Sequence, residues 1–212
     1  MVSKKNDLII KTYELLKELP PEEVKIRTIA AACGCTTPVI YKHFSDLAEL
    51  MSYASVRFLE PYIITVQKLL NEESDPLEML MVMWREFSGC AFRNVDVYLE
   101  MFWGKYKNQL GDRIFDYYQL FPDEWRNLGG LMTSTFFNSD LYERNYTVVR
   151  RATAVGYFRG EETRLLSDMQ CCLMHGVLMD YRPCYREAGK AEEGHEFFMQ
   201  MLESMVNRYR IK

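Results

Sequence analysis

The stretch "IRTIAAACGCTTPVIYKHFSDLAEL", residues 26–50, decides how the whole chain is read. Ile26, Ile29, Ala30 and Cys33 recur at i, i+3, i+4 and i+7, the spacing of a helix with one apolar face. Gly34 follows, a residue that accepts the left-handed backbone on which helices end. Thr36 or Thr37 then caps a third helix, and Pro38 suits its first turn, where an amide hydrogen has no partner to lose. Ser45 or Asp46 opens a fourth helix with the stripe Leu47, Leu50, Met51, Ala54 and Phe58. Two short helices joined by a glycine turn, each with an apolar anchor, have the proportions of a helix-turn-helix.

In that frame Ile40 and Phe44, four residues apart, face inward and pin the third helix against the first two. The residues between them then point outward as a surface small enough to enter a DNA major groove. Lys42 offers a cation to phosphate. Tyr41 and His43 offer donors to phosphate oxygens, which fix the register of the helix without reading sequence. Thr37 suits a base edge, and Pro38 or Val39 a thymine methyl. Arg27, opening the second helix, is placed for a phosphate or a guanine edge, and Thr36 completes the set of expected DNA-binding residues.

Outward from this stretch nearly everything reads as helix. Residues 4–19 align Leu8, Ile9, Tyr13, Leu16 and Leu19, and "PPEE" at 20–23 stops that helix. Pro61 is expected to kink or break the fourth helix. Further helices are expected near 76–92, 95–108, 112–120, 123–137, 140–157, 162–187 and 191–210. No strand-like alternation of useful length and no internal repeat is present, so the fold class is all-α. A chain of 212 residues can bury a sizeable core without staples.

The six cysteines are scattered through a long chain, which favours reduced thiols and a cytoplasmic location over a disulfide framework. "MVSKKNDLIIK" has no signal-peptide pattern, and "MLMVMW" at 79–84 is too short to span a bilayer, so no membrane partner is expected. The net charge is −4, yet residues 1–58 carry eight Lys/Arg against seven Asp/Glu, leaving the acidity in the remainder. Such a balance counts against a protein coated in nucleic acid but says little about one with a small local DNA-binding face.

The same stretch resembles the DNA-binding domain of the TetR family of bacterial transcriptional regulators. The resemblance rests on Ile29-Ala30, Gly34, Tyr41-Lys42-His43-Phe44, Ser45-Asp46 and Leu50, and covers about 45 residues of the family's helix-turn-helix pattern. Two positions depart from that pattern. Leu47 stands where the family often has a phosphate-contacting Lys, and Lys25 stands near a frequent Thr. The resemblance implies a helix-turn-helix domain over 1–60 and a helical ligand-binding and dimerisation domain over 61–212. It implies a homodimer that binds palindromic double-stranded operator DNA through recognition helices roughly 34 Å apart. It also implies a small-molecule effector, largely apolar, bound among the middle helices, and a repressor's role.

On the residues themselves, Trp84, Phe87, Trp103, Tyr106, Tyr117 and Trp125 are candidates to line an effector cavity, since such pockets are mostly apolar. Plain core packing is the alternative for each. The resemblance places Leu166, Met169, Leu173 and Val177 with Phe198, Met201, Leu202 and Met205 at or beside a dimer seam built from the last two helices. No metal site is expected, because neither Cys33/Cys35 nor Cys171/Cys172 has zinc spacing. His195 is expected at the surface. No cofactor is expected, and the chain carries no dinucleotide loop, nucleophile elbow or zinc helix, so it is read as a non-enzyme. The rival reading is a small-molecule-binding or scaffolding helical dimer that has lost productive DNA binding.

Overall fold

The computed structural model of the chain describes residues 4–71, 75–125 and 136–211, and among them there is no strand. The first helix, α1 (Lys4–Glu18), buries Leu8, Ile9, Thr12 and Leu16. Thr12 sits in that apolar face because its hydroxyl donates back to the Leu8 carbonyl at 2.7 Å. The second, α2 (Ile26–Ala32), ends as its sequence requires. Gly34 adopts φ +57°, the Cys35 amide donates to the Ala30 carbonyl at 2.9 Å, and the Gly34 amide donates to Ala31 at 3.1 Å. This paired pattern satisfies carbonyls that the helix end leaves open.

The third helix, α3 (Thr37–Tyr41), is shorter than its sequence suggests. The turn that follows continues its hydrogen bonding, with the His43 and Phe44 amides both donating to the Ile40 carbonyl at 2.9 and 3.0 Å. Of the two possible caps, Thr36 takes the position, but its side chain makes no capping bond. The fourth helix, α4 (Leu47–Ser55), is capped by Asp46, whose Oδ1 accepts from the Glu49 amide at 2.8 Å. The break after α4 comes earlier than Pro61. Val56–Leu59 form a 3-10 turn, and Pro61 lies in the first turn of α5 (Glu60–Asn71), where proline is tolerated.

The remaining helices are α6 (Pro76–Arg93), α7 (Val95–Trp103), α8 (Leu110–Leu120), α9 (Leu141–Ala154), α10 (Thr163–Tyr181) and α11 (Lys190–Tyr209). The segment expected as one helix over 95–108 is split, because α7 stops at Trp103 and a 3-10 turn occupies Lys107–Gln109. The expected helix over 123–137, with Gly129-Gly130 and Met132, lies for the most part outside the described residues; Pro122–Glu124 form a 3-10 turn.

Two compact units result. The first combines Met1–Glu60 with Asp96–Trp125, so the segment carrying α7 and α8 folds with the helix-turn-helix. Its core holds Leu8, Ile9, Ile29, Ile40, Phe44, Leu50, Tyr98 and Ile114. The Tyr98 hydroxyl donates to the Phe58 carbonyl at 3.0 Å, which satisfies the one polar atom of a fully buried ring. The second unit combines Pro61–Val95 with Arg126–Lys212. In it α6, α9, α10 and α11 enclose Trp84, Phe92, Leu166, Met174, Phe198 and Leu202.

At Gly34 a Cβ would meet nothing within 4 Å, so the cost of a side chain there is that of the left-handed backbone alone. Gly34→Ala is expected to lower unfolding free energy by about 1 kcal/mol. Urea unfolding followed by circular dichroism measures it; an unchanged midpoint contradicts the assignment.

Candidate nucleic-acid interface

The candidate surface is built by burying what flanks it. Ile40 is fully buried and Phe44 nearly so, and the Phe44 ring meets the Tyr53 ring edge-on at 5.6 Å. Lys5, on α1, holds its ammonium over both rings, 4.8 Å from the Tyr53 centroid and 5.5 Å from that of Phe44. With those anchors in place Tyr41 is left 56% exposed, and Lys42 and His43 are exposed beside it. Arg27, Thr36 and Pro38 are also exposed, while Thr37 and Val39 are half-buried. Among the described residues the side chains of Arg27, Tyr41 and Lys42 make no hydrogen bond or ion pair within the chain. Their polar groups therefore face solvent with full donor capacity. Leu47 is half-buried and offers no charge.

Behind this surface lies a cluster that the sequence reading passed over. The Arg113 guanidinium, from α8, stands over the Tyr53 ring at 4.8 Å and the Tyr106 ring at 5.5 Å. It pairs with Glu49 at 3.1 Å, donates to the Tyr53 hydroxyl at 2.8 Å and to Gln109 at 2.8 Å. Glu49 in turn accepts from the Ser45 amide at 2.6 Å and the Ser45 hydroxyl at 2.7 Å. Asp46 accepts from Lys105 at 2.7 Å and from the Tyr106 hydroxyl at 3.1 Å. Burial pushes the Glu49 carboxyl up, but the Ser45 donors and Arg113 outweigh it and hold it below its ordinary value. Lys105, the Glu49 amide and Tyr106 hold Asp46 below its ordinary value against a lesser effect of burial.

The six candidate cavity residues divide between the units. Trp84 and Phe87 lie in the second, their rings edge-on at 5.7 Å. Trp103, Tyr106, Tyr117 and Trp125 lie in the first. Tyr106 is committed to Asp46, Tyr117 donates to Glu124 at 2.6 Å, and Trp125 packs on Tyr118 at 5.0 Å. Around Trp84 the second unit carries buried polar groups instead. Trp84 Nε1 donates to Gln170 Oε1 at 3.0 Å, and Asn145 donates to the same oxygen at 2.9 Å and to Ser167 Oγ at 3.1 Å. Gln170 is fully buried, and its Nε2 has no partner among the described residues. The signal for these residues was present. Asn145 sits four after Leu141 and three before Val148, and Gln170 sits four after Leu166, on apolar faces where a polar side chain must find a partner.

Of the residues expected at or beside a dimer seam, Leu166, Val177, Phe198 and Leu202 are at most 4% exposed within the single chain and pack in its own core. Met169, Leu173 and Met205 are half-buried and Met201 is exposed. The exposed apolar face is Leu165, Cys172, Gly176 and Met179 on α10, with half-buried Met169 between them, and Phe197 and Met201 on α11. Both helices are apolar on two sides, and periodicity alone does not say which side is inward. His195, expected at the surface, is half-buried and bonds Ser88 Oγ through Nδ1 at 2.9 Å. Burial first, and then Arg85 and Arg93, lowers its pKa. No helix among the described residues is long and apolar enough to cross a membrane.

No protein-family model matches the sequence, and no curated protein sequence matches it. Solved structures do match its fold. A regulator from Saccharomonospora viridis in complex with choline has a TM-score of 0.62 at 15% identity, over 98% of this chain and 97% of that one. A Thermus thermophilus FadR, a TetR-family transcriptional repressor in complex with lauroyl-CoA, has a TM-score of 0.58 at 15% identity, over 94% and 93%. NalD of Pseudomonas aeruginosa, the secondary repressor of the MexAB-OprM multidrug efflux pump, has a TM-score of 0.56 at 16% identity, over 99% and 97%. The chain has the all-helical fold of TetR-family transcriptional regulators.

The depressed carboxylates make a pH prediction. A carboxyl held below its unfolded value stabilises the fold above about pH 4, and that contribution is lost as the pH falls through the folded value. Glu49→Gln is therefore expected to cost about 2 kcal/mol at pH 7, the cost of losing hydrogen bonds to a charged group. The gap to the unmodified protein should close below about pH 4. Thermal melts from pH 7 to pH 3 measure both; a gap that is the same at every pH contradicts the ionised Glu49 assigned here.

Proposed function

We propose that the chain is a TetR-family transcriptional regulator, a ligand-responsive repressor that binds palindromic operator DNA as a homodimer. The observation that carries this reading is the pairing of buried Ile40 and Phe44 with exposed, uncommitted Tyr41 and Lys42 across the five-residue helix α3 and the turn that follows it. Lys42 neutralises a phosphate, Tyr41 and His43 donate to the backbone, and Thr37, Pro38 and Val39 meet base edges, with Arg27 and Thr36 at the flanks. The exposed apolar face of α10 and α11 supports pairing with a second copy, which sets two recognition helices on one palindrome. The Gln170 Nε2 beside Trp84, unpartnered among the described residues, supports an effector that brings a hydrogen-bond acceptor to a mostly apolar site. The bound molecules of the similar structures, choline and lauroyl-CoA, differ so much that neither identifies this effector.

The test is binding of the purified protein to labelled DNA from the region upstream of its own coding sequence, titrated with salt. Selective binding with a steep salt dependence is expected. Weak, sequence-blind binding overturns the DNA reading in favour of a ligand-binding dimer, to which Leu47, in place of a cation, would then belong. Lys42→Ala should weaken binding on every sequence and reduce the log–log salt slope by about one. Thr37→Ala should change sequence preference instead, and equal losses on all sites would remove Thr37 from base readout. Met201→Glu should yield monomers in sedimentation, whereas Leu166→Ala should lower stability by roughly 2–5 kcal/mol and leave the dimer in place.

A further inference from the structure

We propose that Arg113 is a positioning residue for DNA binding: from α8, outside the helix-turn-helix, it fixes α3 by clamping Glu49 and Tyr53 behind the α4 cap. This rests on the DNA-binding reading above. The α4 cap is used twice. Asp46 accepts the Glu49 amide and also Lys105 and Tyr106; Glu49 accepts the Ser45 amide and also Arg113. No cap residue is thus free to move without releasing the segment between Lys105 and Arg113.

The path onward to the recognition helix is short. Ser45, held by Glu49, directly follows Phe44, the anchor whose amide closes on Ile40 of α3. A second path runs through Tyr53. Its ring packs on Phe44 at 5.6 Å and lies under the Arg113 guanidinium at 4.8 Å, and its hydroxyl accepts from Arg113 and donates to Asp116 at 2.8 Å. Arg113 and Glu49 side chains are only 13% and 17% exposed, so salt screens their pairing far less than that of a surface ion pair. The outer arm, Lys105 to Asp46, is 61% and 39% exposed and contributes less. The recess between Ser52, Met101, Tyr106 and Arg113 has a volume of about 10 Å³, room for at most one water and too small for an organic effector. The cluster is therefore a mechanical link and not a ligand site. A displacement of α8 must be passed to the α4 cap or break the clamp.

A residue that acts this way changes DNA affinity without changing the number of phosphates neutralised. Operator binding to the upstream DNA fragment should be measured for Arg113→Met, Glu49→Gln and the double variant, with hydrogen exchange of residues 37–50 in the same samples. Arg113→Met is expected to bind about tenfold more weakly, the size of effect carried by a contiguous network, with an unchanged salt slope. The double variant should be no weaker than the worse single one. Amide exchange at Ser45 and Glu49 should quicken in each. Unchanged affinity, or a loss with the salt slope reduced by about one, overturns the proposal, the latter because Arg113 would then touch phosphate itself. If Arg113→Met fails to fold, Arg113→Lys, which keeps the charge and loses the planar fork, takes its place with the same expectations at smaller size. If the unmodified protein does not bind the fragment, the DNA reading fails on its own. The exchange data then decide the clamp, since exchange unchanged by the substitution at Arg113 would show that it does not hold the α4 cap.

Discussion

The surface of α3 exists because Ile40 and Phe44 are buried. A helix of five residues has almost no stability of its own, since nucleation consumes more backbone entropy than so few hydrogen bonds return. These two buried apolar side chains contribute roughly 1.5–3 kcal/mol each and hold the helix and the turn after it in place from below. That support leaves Tyr41, Lys42 and His43 no inward option. Their exposure is a consequence of packing, and the donors they present to solvent follow from it.

The second constraint is the α4 cap, where electrostatics takes over from packing. Asp46 performs the ordinary task of an N-cap and Glu49 secures the residue before it. Both carboxylates also anchor side chains from more than fifty residues away in sequence. The Arg57–Glu124 pair at 3.4 Å and the bond from Asn6 to the Leu120 carbonyl at 2.8 Å tie the far end of the same segment. Residues 96–125 consequently fold with the helix-turn-helix as one body, although their position in the chain suggests the larger domain.

The helical character, the glycine turn and the inward anchors were legible in the sequence because each depends on local spacing or on one residue's backbone freedom. Gly34 and the Ile40/Phe44 pair are of this kind. What escaped depends on distant partners. Arg113 reads as one cation among many on an amphipathic helix until Glu49 and two tyrosine rings are brought to it. Gln170 and Asn145 stand on apolar faces, which signals a buried partner, but that the partner is Trp84 emerges only in the packed structure. Phe197 and Phe198 are adjacent and equally apolar; only the packed structure shows that Phe198 is inside and Phe197 outside. The break at Val56–Leu59 was misplaced to Pro61 because a proline in a first helical turn starts a helix as readily as it ends one.

The central claim is that α3 enters the major groove of a palindrome twice. Methylation interference tests it most directly, because guanine N7 lies in the major groove. DNA bearing sparse N7-methylguanine is bound by the protein, and free and bound fractions are compared base by base. The account predicts two symmetric blocks of interference with centres about one helical turn apart, roughly 10 base pairs. Binding that is indifferent to N7 methylation, or that shows no second block, would contradict it.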